Sequence, residues 1–176
     1  MDSQTLVTER LLLEPISVPM IEAVARGDWA ELERLANARG PTVRPGPELI
    51  HRGFGWSLQR IRRNPAWRLW GDRLMIARQG ERRILGSVVF HGHPGEEGDA
   101  EVGYGVDEAA RGQGLATEAT RACVEWALRQ PAVLSVSATT HPLNLPSIRV
   151  LEKVGMQRSG TRDETIGELL VYSILR

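Results

Sequence analysis

The chain has 176 residues, 41% hydrophobic and 25% charged, which fits a single domain spanning 1–176 with a sizeable core. Its 22 basic residues are matched by 22 acidic ones, so no net field recruits nucleic acid or an anionic membrane, and neither is expected as a partner. Cys123 is the single cysteine, which excludes an intrachain disulfide framework and a cysteine-built metal cluster.

The opening MDSQTLVTERLLLEP lacks a basic segment followed by a signal-length apolar run, and no stretch is long enough to span a bilayer; a cytoplasmic location is expected. TERLLLEPIS reads as a strand with Leu11 and Leu13 on one face and Leu12 on the other, ended by Pro15. Between Val18 and Pro65 apolar residues recur at helical spacing, as in Trp29, Leu32 and Leu35 and again around Trp56 and Ile61. This predicts two or three short helices around the turn-rich GPTVRPGPE. RLWGDRLMIARQ, RRILGSVVFHG and DAEVGYGV then read as three strands of an antiparallel meander.

Leu115, Ala119, Ala122, Cys123 and Trp126 fall on one helical face, with Glu118, Arg121, Glu125 and Arg129 on the polar side, and Pro131 stops the run. Cys123 is expected to be a buried, inert thiol. VLSVSATT is a strand; Pro146 suits a first helical turn, and Ile148, Leu151 and Val154 line a short helix closed by Gly155. ELLVYSILR makes a last strand. The fold class is α+β with a mostly antiparallel sheet.

The stretch RGQGLATEA, 111–119, lies between a strand and that central helix. Glycines there let an anion approach the unpaired N–H groups of a helix start without meeting a Cβ. A plain Arg-Gly turn ahead of the helix is the alternative. A P-loop is excluded because Leu115 follows Gly114. A Rossmann fingerprint is disfavoured because position 117 is Thr and no acidic residue follows about twenty positions on. In DAEVGYGV the residues Ala100, Val102, Tyr104 and Val106 share one face, and Glu101, Gly103 and Gly105 the other. Two strand glycines point to a close approach by a ligand or another backbone. Read alone, Glu101 is by default a solvent-facing strand residue and the glycines are bulge sites.

TERLLLEP, GSVVFHG, EVGYGVDEAARGQGLATEA and NLPSIRVLEKVGM, in that order, resemble the GNAT acyl-CoA N-acyltransferases, and within them the bacterial ribosomal-protein N-terminal acetyltransferases. The resemblance runs almost end to end. It implies a mixed, mostly antiparallel sheet flanked by helices, with DAEVGYGV and VLSVSATT splayed apart to hold the pantetheine arm of acetyl-CoA. It implies pyrophosphate binding by the backbone of Arg111, Gly112, Gln113, Gly114, Leu115, Ala116 and Thr117, and polarisation of the thioester carbonyl near Val106. It further implies Glu101 as the base acting on the amine, directly or through a water, and Ser147 as proton donor to the thiolate, with Asn144 beside it at the donor site. Helix capping beside Pro146 is the alternative role for Ser147.

Many relatives carry a Tyr four residues after the Ser position, where this chain has Leu151. That departure leaves open an inactive acyl-CoA sensor as the second reading. The resemblance implies no metal, and an amine acceptor that is a peptide N-terminus or a small amine. Relatives often form homodimers. His91, His93 and His141 read as loop residues that face solvent, with lining of the acceptor site as the alternative for one of them; Trp29, Trp56, Trp67 and Trp70 read as core or pocket walls.

Overall fold

The computed structural model describes residues 4–44, 57–165 and 167–176. Its strands are β1 (Leu6–Val7), β2 (Leu11–Pro15), β3 (Asp72–Ala77), β4 (Ile84–Phe90), β5 (Asp99–Val106), β6 (Ser135–Thr140), β7 (Gln157–Glu164) and β8 (Gly167–Leu175). They form one sheet in the order β1-β2-β3-β4-β5-β6-β8-β7, antiparallel except for the β5–β6 pair. The helices are α1 (Val18–Ala25), α2 (Trp29–Ala36), α3 (Leu115–Leu128) and α4 (Leu145–Val154); residues 57–63 are also helical. None of the described helices is long and apolar enough to cross a membrane.

Strand alternation sorts the core into two clusters, one on each face of the sheet. Met75, Phe90, Val102 and Val136 pack with Leu115, Cys123 and Leu151 on the α3–α4 side, while Leu74 and Ile76 pack with Ile16, Ile21 and Leu32 on the α1–α2 side. Cys123 is fully buried, and burial pushes its thiol up to about 12, which makes it inert as expected.

The sheet divides at its parallel pair. β5 and β6 are paired from Asp99–Ser135 to Glu101–Ser137, and then β5 runs on to Val106 and β6 to Thr140 without pairing. Each is held by its other neighbour: β5 by β4 through Val106, and β6 by β8 along its whole length. Gly86 lets β4 hug β5 beside the opening, since its φ is +147° and a Cβ there would lie 2.1 Å from the Gly105 carbonyl oxygen. The expected splayed pair is therefore present.

Some expected elements differ. Arg68–Trp70, read as the start of a strand, belong to a 3-10 helix, Pro65–Trp70, because Asn64 caps Ala66 N–H, Pro65 fits the first turn and Gly71 breaks away. β1 and β7 carried no readable signal: β1 is two residues long, and all of β7 is exposed, so no apolar alternation marks it. Trp56 lies outside the described residues, whereas Trp29, Leu32 and Leu35 do fall on a helix.

Candidate active site

Between β5 and α3 the chain makes a 3-10 turn, Glu108–Ala110, and then the exposed run 111–114. Gly112 (φ +75°) and Gly114 (φ +79°) both take the left-handed conformation that L side chains rarely adopt. Gly114 is the N-cap of α3 and no side chain caps the helix, so the N–H groups of its first turn lack that partner. A helix start of this kind, with glycines in place of side chains, favours an anion. The residues present fit a pyrophosphate: a Cβ built at Gly112 would meet nothing within 4 Å and one at Gly114 only Arg10 Nη2 at 3.6 Å, so the space in front of this helix start is open.

The loop is clamped from behind by the N-terminal hairpin. Arg10 donates from Nη1 to the Gln113 carbonyl (2.8 Å) and from Nε to Glu118 (2.6 Å), while Thr8 Oγ1 and Arg10 N–H both donate to the other Glu118 oxygen at 2.6 and 2.8 Å. Burial opposes ionisation of Glu118, but these donors outweigh it and hold the carboxyl below its usual range. Placing Glu118 simply on a polar helix face missed this role, because its partners lie more than a hundred residues away.

Backbone direction defines the gap between β5 and β6. His91 N–H donates to the Glu101 carbonyl (2.9 Å) and Asp107 N–H to the Leu85 carbonyl (2.8 Å), so Glu101, Gly103 and Gly105 turn their backbone groups to β4. By alternation, Tyr104 and Val106 turn theirs into the gap, where an extended chain can meet them as a strand would. The Val106 carbonyl there accepts from Arg111 Nε at 3.3 Å.

On the α1–α2 side of the gap stands Glu101, at the last β5–β6 pair. Its carboxylate accepts from Arg162 Nη1 (3.0 Å) and Thr139 Oγ1 (3.1 Å), and His91 Nδ1 lies 3.5 Å away. His91 and Arg162 together outweigh burial and draw the carboxyl down to about 2, Arg162 making the shorter contact. Gly103 gives the His91 ring its room: a Cβ there would sit 3.3 Å from His91 Nε2. Gly105 faces open space.

On the α3–α4 side, Tyr104 brings its hydroxyl to Ser147 in the first turn of α4, 2.9 Å from Oγ and 3.1 Å from the carbonyl oxygen. Asn144, not Ser147, is the helix cap, accepting Ser147 N–H at 3.3 Å. Leu151 is fully buried in the core. The structure thus brings Val106 against Arg111 and the following helix start, and Asn144 against Ser147; Glu101 stands apart on the opposite sheet face. Tyr104 was legible only as a strand residue, because its contact joins β5 to a helix that follows much later.

Of the histidines, His91 reaches Glu101, His93 stacks on Trp67 (6.2 Å) and His141 accepts Leu143 N–H at 3.2 Å. Among the described residues no group of three or more His, Cys, Asp or Glu is placed to hold a metal. Trp70 is core, packed on Phe90 and Trp126, and Trp29 borders the second cluster. Asp72, unremarked in the sequence, is a buried carboxyl at the start of β3; burial raises it to about 7 against the opposing pull of His91.

The acetyltransferase (GNAT) domain family matches residues 10–157. Uncharacterized N-acetyltransferase YjdG of Bacillus subtilis is 26% identical over 150 residues, covering 85% of this chain and 88% of that protein. A GNAT-family acetyltransferase from Bacillus anthracis superposes with a TM-score of 0.67 at 24% identity, over 97% of this chain and 98% of that one. RimL, a ribosomal L7/L12 alpha-N-protein acetyltransferase solved in complex with coenzyme A, gives a TM-score of 0.66 at 14% identity over 97% and 96%. Because the family match takes in the glycine-lined helix start and both parted strands, the chain belongs to the GNAT acetyltransferases and is an acetyl-CoA-dependent acyltransferase acting on amines.

Proposed function

We propose that this protein moves the acetyl group of acetyl-CoA onto a primary amine, a peptide N-terminus or a small-molecule amine, by direct attack within a ternary complex. The observation that carries the reading is the uncapped start of α3, with two left-handed glycines, opening beside the gap between β5 and β6. The backbone of 111–117 holds the pyrophosphate, and Tyr104 and Val106 bind the extended arm, with the Val106 N–H polarising the thioester carbonyl. Asn144 fixes the first turn of α4, which presents Ser147 as the proton donor to the departing sulfur.

The amine approaches from the face that carries Glu101. Ammonium groups of pKa about 8 to 10.4 do not pass a proton to rest on a carboxyl of about 2. Glu101 therefore acts through a water: its fixed negative charge holds the incoming nitrogen and orients the water that carries the proton away. Glu101→Gln is expected to lower kcat about tenfold near pH 6.5, and less as the pH approaches the amine's own pKa, where the neutral nucleophile is already abundant. A pH–rate profile of both proteins checks this; parallel profiles would remove the role.

Thermal unfolding with acetyl-CoA, ATP or NADPH tests the donor. A ligand at a hundredfold its Kd stabilises by about 2.7 kcal/mol, a rise of roughly 5–10 °C for a domain of this size. Acetyl-CoA alone is expected to give that rise, and no rise would overturn the cradle. Mass spectrometry of amines incubated with acetyl-CoA then separates an enzyme from a sensor, which binds without making product.

A further inference from the structure

The Tyr104 hydroxyl reaches two acceptors on one residue, the Ser147 carbonyl oxygen at 3.1 Å and Ser147 Oγ at 2.9 Å. A phenol has one proton, so it serves one of them at a time. While it donates to the carbonyl, the Ser147 hydroxyl has the phenol oxygen as its own acceptor. Once it turns to Oγ, the serine proton is displaced and points elsewhere. A turn of one O–H bond therefore switches Ser147 between a proton held inside the protein and a proton offered outward.

The surroundings keep this pair in place. Tyr104 is fixed in β5 opposite Val88, its ring packs against the core on the α3–α4 side, and its own N–H and C=O face the gap. Ser147 is fixed by the Asn144 cap. Position 151, where many relatives carry a tyrosine, is a buried leucine, so the phenol beside Ser147 comes from a strand instead of the helix.

We propose that Tyr104 is the positioning residue for the leaving-group side of the reaction, turning its O–H onto Ser147 Oγ so that the serine proton passes to the departing sulfur. The inference rests on the reading of Ser147 as proton donor. As the amine nitrogen bonds to the acetyl carbon, the C–S bond breaks and sulfur leaves with its electron pair. Sulfur takes the Ser147 proton, and the phenol proton replaces it on Oγ. The proton lost by the amine returns to the phenolate through solvent, so the cycle is neutral overall. Burial raises the phenol above its usual range despite the Ser147 hydrogen bond, which keeps it protonated between turnovers.

The test uses the wild type, Tyr104→Phe, Ser147→Ala and the double variant, with acetyl-CoA and the fastest acceptor from a panel of a serine-initiated peptide, a polyamine and an aminoglycoside. Single-turnover rates and KM for acetyl-CoA are measured. Tyr104→Phe keeps the ring and its packing, so KM is expected within twofold of wild type while the transfer rate falls at least about tenfold. In the Ser147→Ala background the same change is expected to cost nothing further, because the phenol then has no hydroxyl to act through. A full rate in Tyr104→Phe, or an equal loss in both backgrounds, would overturn the proposal while leaving Ser147 as donor. A full rate in Ser147→Ala, or no transfer by wild type to any acceptor, would overturn that underlying reading and this one with it.

Discussion

Replacing Gly114 by valine is expected to weaken acetyl-CoA binding by at least about a hundredfold, some 2.7 kcal/mol at 25 °C. The residue sits at φ +79° as the N-cap of α3. A β-branched side chain there meets two penalties. The left-handed backbone costs roughly 1–2 kcal/mol for an L residue, and the added methyl groups stand before the N–H groups that a pyrophosphate must reach. A Cβ there would make only an ordinary contact, 3.6 Å from Arg10 Nη2, so the protein itself leaves room for the side chain and the two penalties stand alone. Backbone strain by itself is controlled with Gly80→Val, which has a similar φ of +69° in the turn between β3 and β4 with nothing within 4 Å. Calorimetry with acetyl-CoA should find binding lost in the first variant and kept in the second. Retained affinity in Gly114→Val would remove the phosphate cradle, and with it the main support for the proposed donor site.

Asp72→Asn is expected to flatten a fall in stability of about 4 kcal/mol between pH 4 and pH 7 in the wild-type protein. The carboxyl has a native value of about 7, against 3.8 for the free side chain, because burial penalises its charge. Between those values the native state binds a proton that the unfolded chain has lost, so stability falls as pH rises through the window. Asparagine cannot ionise, so its curve keeps its height where the wild type declines.

Glu101 works with the opposite sign. Its native value of about 2 lies below the 4.5 of the free side chain, so the contribution of its ion pairs is present above pH 4.5 and is lost as pH falls toward 2. Denaturant unfolding at pH 5, 6, 7 and 8 separates the two groups, because Glu101 is ionised in both states through most of that range. Parallel curves for wild type and Asp72→Asn would show that the Asp72 carboxyl titrates normally.

How much could be read beforehand varies with how local the cause is. The glycine turn was legible because a left-handed backbone and a helix start leave their marks in adjacent letters. The amphipathic stripe of α3, Pro146 and the closing Gly155 of α4, and the bare face of β5 were legible for the same reason. Glu101 was found as a lone carboxylate on that bare face, but its ionisation could not be, because it depends on the His91 ring set beside it by β-pairing and on Arg162, which arrives from β7, a strand without a single buried residue to announce it. Likewise Thr8 and Arg10 could be seen only as polar letters around a strand until folding set them on Glu118.

The sequence by itself determined the α+β class, the order of the central strands, the central helix and the loop before it, since each follows from periodicity and turn chemistry within a few residues. Only the tertiary structure decided which glycine makes room for His91, that the Tyr104 hydroxyl meets Ser147, and that Asp72 is buried. Those outcomes depend on desolvation and on distances between groups that β-pairing brings together from far along the chain, and no local pattern of residues encodes them.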